Sequence, residues 1–178
     1  MRAFLAIEVP ASARLLIHDL IENESRKDLP VKWVAFENLH ITLKFLGEID
    51  ERKKAKITPS ITAACHRHKP FTVVLGGLGC FPGPRNPRVL WVGMKQGGSA
   101  VCALAADLDE ELTRFGFEKE GRFHPHLTIG RVKQPCSVDS TIAQEIQTDA
   151  FEVCSVVLFR STLKPTGPIY DELERFAL

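Results

Sequence analysis

Two short tetrads carry the residue types of acid/base chemistry. His40-Ile41-Thr42-Leu43 and His126-Leu127-Thr128-Ile129 each place an imidazole two residues before a hydroxyl, and the second lies 86 residues after the first. On a β-strand, residues i and i+2 share a face and i+1 and i+3 share the other. His40 and Thr42 therefore project together, as do His126 and Thr128, opposite the apolar Ile41/Leu43 and Leu127/Ile129 rows. Strict alternation adds Leu39 and Phe45 to the first apolar row and Lys44 to the open one. An imidazole takes or gives a proton near neutrality, so a pair can serve as general base and general acid in a displacement at phosphorus. Threonine hydroxyls are short donors for the non-bridging oxygens. A lone His-x-Thr on a strand is ordinarily just a half-buried polar pair. Two copies in register are different, because packing preserves core positions and gives no reason to keep a matched pair turned away from the core. His124-Pro125-His126 has the spacing of a metal pair, but no third acidic or thiol ligand falls at a useful distance in sequence. Neither a metal nor a cofactor is expected. His18, His66 and His68 have no counterparts and read as surface or helix-end residues.

The elements that position these residues repeat with the same period. A strand at 3–9 maps onto one at 89–95, a helix at 11–27 onto 97–113, and a strand at 71–78 onto 157–164. Leu16/Leu20 and Ile17/Ile21 give the first helix its stripe; Val101, Ala105, Leu108, Leu112 and Phe115 give its counterpart one. A basic helix is expected from Asp50 to His66, with Pro59 cutting it or marking a late start. A shorter helix is expected from about Val138 to Gln147, then one strand from Phe151 to Leu163 and a tail punctuated by Pro and Gly. Gly79 to Arg88 reads as a loop. The expected fold is α+β: a duplicated bilobal arrangement of two small, mostly antiparallel sheets facing a central cleft, with helices on the outer faces. It forms a single bilobal domain over residues 1–178, with sequence halves of about 1–86 and 87–178.

With 178 residues, 44% of them apolar, and Lys+Arg 23 against Asp+Glu 22, the composition excludes collagenous, disordered and supercharged classes. The net charge of +1 conceals an acid-free run from Arg52 to Ala106. That run holds Arg52, Lys53, Lys54, Lys56, Arg67, Lys69, Arg85, Arg88 and Lys95, a segment a polyanion could use. Five scattered cysteines without a CxxC pair indicate buried free thiols in a reducing compartment. The apolar start is broken at Glu8, short of a signal or membrane segment, so the expectation is a cytoplasmic protein with no membrane association.

At these residues the sequence resembles the two-histidine phosphoesterase superfamily, most closely its RNA 2',3'-cyclic phosphodiesterases, also called 2'-5' RNA ligases. The similar stretches are Phe4 to Ile7, Trp33-Val34, Asn38 to Gly47, Phe81-Pro82, Pro87 to Trp91, Phe123 to Arg131, Arg160-Ser161 and Gly167 to Tyr170. The resemblance implies metal-independent hydrolysis of RNA 2',3'-cyclic phosphate ends to 2'-phosphomonoesters, with reversible 2'-5' ligation. It also implies that His40 is the proton donor to the leaving O3', that His126 is the proton acceptor, and that Thr42, Thr128 and Arg131 bind the substrate phosphate. The residues alone give a pair of roles without saying which histidine takes which. Arg131 can join Thr128 only through a bulge or a strand that ends at Gly130. Phe45, Phe81, Phe123, Arg85 and Arg88 are candidates for base contacts, with core packing the ordinary role for the phenylalanines. The expected partner is RNA with 2',3'-cyclic phosphate ends, tRNA fragments among them, bound by a monomer. The other readings are an RNA-end binding module and a phosphodiesterase of a small 2'-5'-linked or cyclic nucleotide.

Overall fold

The computed structural model describes residues 1–178. Its strands are β1 (Arg2–Glu8), β2 (Val31–Trp33), β3 (His40–Glu48), β4 (Phe71–Phe81), β5 (Val89–Gln96), β6 (Leu127–Val132), β7 (Phe151–Val153), β8 (Ser155–Lys164) and β9 (Gly167–Ala177). Its helices are α1 (Ala11–Ser25), α2 (Glu51–Cys65), α3 (Gly98–Thr113) and α4 (Asp139–Ile142), with a 3-10 turn at Phe36–Asn38. Two antiparallel sheets result, one ordered β3-β1-β8-β9 and the other β2-β6-β5-β4-β7. The α+β class and the two-sheet layout expected from the repeat are both present. No helix is long and apolar enough to cross a membrane.

The repeat is visible in strand order: β3-β1-β8 in the first sheet corresponds to β6-β5-β4 in the second. The sheets do not coincide with the sequence halves, however. β4 from the first half completes the second sheet, β8 from the second half completes the first, and β2 crosses to pair with β6. The helices cross as well: α2 and α3 pack on the first sheet through β9 and β3, while α1 and α4 lie against β2 and β4. A period in sequence records which elements recur, but strand pairing decides which sheet each one joins. Neither half holds a complete sheet of its own, and one continuous apolar core draws on both.

Five local expectations change, the first being that the loop expected from Gly79 shortens, because β4 continues through Phe81 opposite Val89. α2 runs unbroken through Pro59: Asp50 caps it by accepting the Lys53 backbone N–H at 2.6 Å, and Ile57, Ile61, Ala64 and Cys65 form its buried stripe. Pro59 sits on the exposed side, where the helix loses one backbone hydrogen bond without burying the unpaired carbonyl. The helix expected at 138–147 shrinks to the four residues of α4. The run from Phe151 divides at Cys154, because β7 pairs with β4 and β8 with β1 in the other sheet. The punctuated tail is β9, an edge strand whose charged residues hide its alternation.

Two bulges matter most for the site. Ala6 opposes Thr42 and Leu5 opposes Lys44, which leaves Leu43 as an extra residue in β3. Trp91 opposes Thr128 and Leu90 opposes Gly130, which leaves Ile129 extra in β6. The two bulges are themselves 86 residues apart, and each flips the alternation beyond it.

Candidate active site

The bulge in β3 corrects the expected facing of two residues. Lys44 turns inward to the helices, only 3% exposed, and Phe45 comes onto the cleft face, 56% exposed. In β6 the same device puts Gly130 inward and brings Arg131 to the face of Thr128, the condition its expected role required.

The histidines are held alike at one nitrogen. His40 Nδ1 donates to the Asn38 carbonyl at 2.7 Å, and His126 Nδ1 donates to the His124 carbonyl at 2.7 Å. A carbonyl only accepts, so each neutral ring keeps its hydrogen on Nδ1 and presents an Nε2 lone pair. The Nε2 atoms differ: Thr42 Oγ1 donates to that of His40 at 3.0 Å, whereas that of His126 is free of protein partners.

Aromatic walls surround both rings. Phe4 lies 4.9 Å from the His40 ring, Tyr170 meets it edge-on at 5.3 Å and 86°, and Phe159 stands at 6.4 Å. Phe81 meets His126 edge-on at 5.1 Å and 87°, with Trp91 at 6.5 Å. The Trp91 indole packs against Gly79, where a Cβ would come within 2.3 Å of its ring atoms. Burial in this setting penalises the imidazolium and pulls His40 down from 6.5 to about 4, against the Asn38 hydrogen bond, which raises it. His126 is also lowered, first by burial, with the charges of His124 and Arg131 adding to the effect against the hydrogen bond to His124.

The burial of His40 makes stability depend on pH with a definite sign. A folded pKa below the unfolded value means the unfolded chain binds the proton more readily between about 4 and 6.5, so stability falls as pH drops through that window and is recovered above it. His40→Gln is expected to lose less melting temperature than the wild type between pH 7 and pH 4.5. Equal losses in thermal scans would show that His40 is not held neutral by burial.

The family model described as 2'-5' RNA ligase superfamily matches residues 11–164. The chain belongs to this superfamily. A Methanothermobacter thermautotrophicus protein named RNA 2',3'-cyclic phosphodiesterase is 36% identical over 183 residues, covering 100% of this chain and 99% of its own. An Archaeoglobus fulgidus protein of the same name is 38% identical over 179 residues, with 99% of each chain covered. The crystal structure of a Thermus thermophilus protein, TT0787, superposes with a TM-score of 0.81 at 30% identity, over 100% of this chain and 98% of that one. E. coli LigT complexed with 3'-AMP gives 0.77 at 28% identity, over 99% and 97%. The likeness therefore spans both sheets.

In this 2'-5' RNA ligase superfamily member the remaining candidates fall in different places. Phe81 walls His126, Phe45 is at the cleft, and Phe123 packs partly buried against the core. Arg85 is exposed, and Arg88 lines an open pocket of about 410 Å³ with Phe81, Pro82, Asn86 and Val89. The acid-free run is not one basic surface. Lys53 donates to the Phe115 carbonyl and lies over the Phe117 ring, Lys54 pairs with Glu174, and Arg67 pairs with Asp107 and Glu111, all on the helical side of the first sheet. All five cysteines are free, but only Cys65 and Cys80 are buried; Cys154 is exposed. No three His, Cys, Asp or Glu side chains group closely enough to hold an ion. Sequence reasoning gave no role to Tyr170 or Phe159 beside His40. Tyr170 is the sole tyrosine of the chain, and its place in the Gly167 to Tyr170 stretch that carries the family resemblance was the signal that could have found it.

Proposed function

We propose that this chain hydrolyses RNA 2',3'-cyclic phosphate ends to 2'-phosphomonoesters with its two histidines and without a metal. The observation that carries the reading is the matched pair of imidazoles, each locked at Nδ1 by a carbonyl two residues earlier and each followed by a threonine. The names of the full-length relatives support the same substrate. The cyclic phosphate lies between Thr42 and Thr128 with Arg131 against its charge. His126 Nε2 takes a proton from water as the water oxygen bonds to phosphorus; the P–O3' bond breaks, and His40 Nε2–H delivers a proton to O3'. A 5'-hydroxyl in place of water gives the 2'-5' ligation. His40 is largely neutral in the free protein, so the phosphate anion must draw a proton onto it, with the Thr42 hydroxyl turning to accept from Nε2–H.

The deeper burial of His40 favours a second reading in which His40 is the base and His126 the acid. A nucleotide p-nitrophenyl phosphodiester, whose leaving group needs no proton, separates the two: the variant of the acid retains turnover of that substrate and the variant of the base does not. The reaction itself is tested with a 2',3'-cyclic-phosphate-ended oligonucleotide in excess EDTA. Undiminished turnover to a 2'-phosphate is expected. Loss of turnover in EDTA, or a 3'-phosphate product, would sink the proposal.

A further inference from the structure

The cleft is electrically lopsided. At the His40 end, Glu8, Glu37 and Glu172 line a pocket of about 260 Å³ with Arg14, Phe159 and Tyr170. Arg175 bridges Glu8 and Glu172 at 2.6 and 2.5 Å, so three carboxylates face two guanidiniums there. A second backbone phosphate is disfavoured among those carboxylates, and Tyr170 stands at the border of their pocket.

At the opposite end, Arg131 and Arg2 have no carboxylate partners. Glu48, which opposes Arg2 in register, is engaged at 3.2 Å by the amino group of Met1. Phe4 opposes Phe159 and Ser161 opposes Tyr170, so alternation along β1 puts Arg2 on the cleft face in the row of Ser161 and Tyr170. The Phe4 and Tyr170 rings are 4.9 Å apart. The Tyr170 hydroxyl has no hydrogen-bond partner in the protein; burial raises its pKa, while Arg131 and Arg2 are both near enough to lower it. Arg131 thus stands on the face of Thr128, while Arg2, opposite Glu48 at the far end of β3 from His40, marks the way out of the cleft beyond Tyr170.

We propose that Arg2 and Tyr170 form a second phosphate site, which takes the phosphodiester on the 5' side of the terminal nucleotide while the cyclic phosphate lies between Thr42 and Thr128. The inference rests on the phosphodiesterase reading above. A guanidinium grips two phosphate oxygens at once, and the phenol donates to a third. The strand leaves the cleft over Arg2, away from the carboxylates beside His40, and Arg131 stands between the two phosphates.

A nucleoside 2',3'-cyclic phosphate compared with its 5'-phosphorylated form tests the site. The wild type is expected to show a KM about tenfold lower for the 5'-phosphorylated substrate, an advantage that shrinks with added salt. Arg2→Gln is expected to reduce the advantage to about twofold. Tyr170→Phe, which keeps the ring against Phe4 and His40, is expected to reduce it in part. Arg114→Gln, at the far end of α3, retains it in full. Equal KM values in the wild type, or an advantage that survives Arg2→Gln, overturn the site. If neither substrate turns over, the phosphodiesterase reading fails instead. Calorimetry with adenosine 2',5'-bisphosphate against adenosine 2'-monophosphate then decides the site alone, with tighter bisphosphate binding lost in Arg2→Gln supporting it and equal affinities overturning it.

Discussion

His40→Ala and His126→Ala are each expected to lower kcat/KM on a cyclic-phosphate-ended oligonucleotide by about 10²–10⁴-fold, the usual contribution of one positioned acid or base. The double variant is expected to lose little beyond the worse single one, because the two proton transfers serve one displacement. His40→Gln accompanies the alanine variant, since removing a ring packed by Phe4, Phe159 and Tyr170 opens a cavity. Circular dichroism and melting curves separate a lost proton transfer from a lost fold. The same pair dictates a bell-shaped pH profile, with one limb for each imidazole. Both pKa values are depressed in the free protein, so the kcat/KM bell lies to the acid side of an ordinary histidine. A bound phosphate anion raises both, so the kcat optimum lies at higher pH than the kcat/KM optimum. A rate that climbs without turning over across the neutral range would falsify the paired-histidine mechanism.

Lys44→Met is expected to destabilise the fold by about 3–5 kcal/mol, the cost of leaving one buried charge alone. Lys44 Nζ donates to Asp109 Oδ1 at 2.5 Å and to the Glu118 carbonyl at 2.6 Å, with Glu120 at 3.6 Å. The Asp109 carboxylate in turn accepts the Glu120 backbone N–H at 3.0 Å. One lysine, two residues beyond Thr42, thus pins the segment that leads from α3 to His126. Replacing both partners, Lys44→Met with Asp109→Leu, removes the stranded charge and is expected to recover most of the loss in urea unfolding. A double variant as unstable as the single one would mean that the loss comes from packing rather than from the uncompensated carboxylate. The single variant should also lose activity at temperatures where it stays folded, because the loop before His126 is loosened.

Much of this was legible in the residues. The 86-residue period, the His-x-Thr pairs and the two-sheet class follow from alternation and recurrence, which are local properties of a chain. The facing of Phe45 and Lys44 was not, because strict alternation assigns them wrongly and only the pairing of β3 with β1 reveals the bulge at Leu43. The expectation for Arg131 stated the geometry it needed, and the bulge at Ile129 supplies it. β9 was missed because an edge strand carries charge where a central strand would be apolar, and the aromatic wall of His40 went with it.

The sequence by itself determined which groups stand together: two imidazoles and two hydroxyls, each pair on one face of a strand, since that depends only on residue type and a period of two. The tertiary structure alone decided which sheet each strand joins, which residues the bulges turn into the cleft, and how far each imidazole is removed from water. Those are consequences of pairing and burial between segments far apart in the chain. The exchange of β4 and β8 between sheets sets them, and no window of sequence contains it.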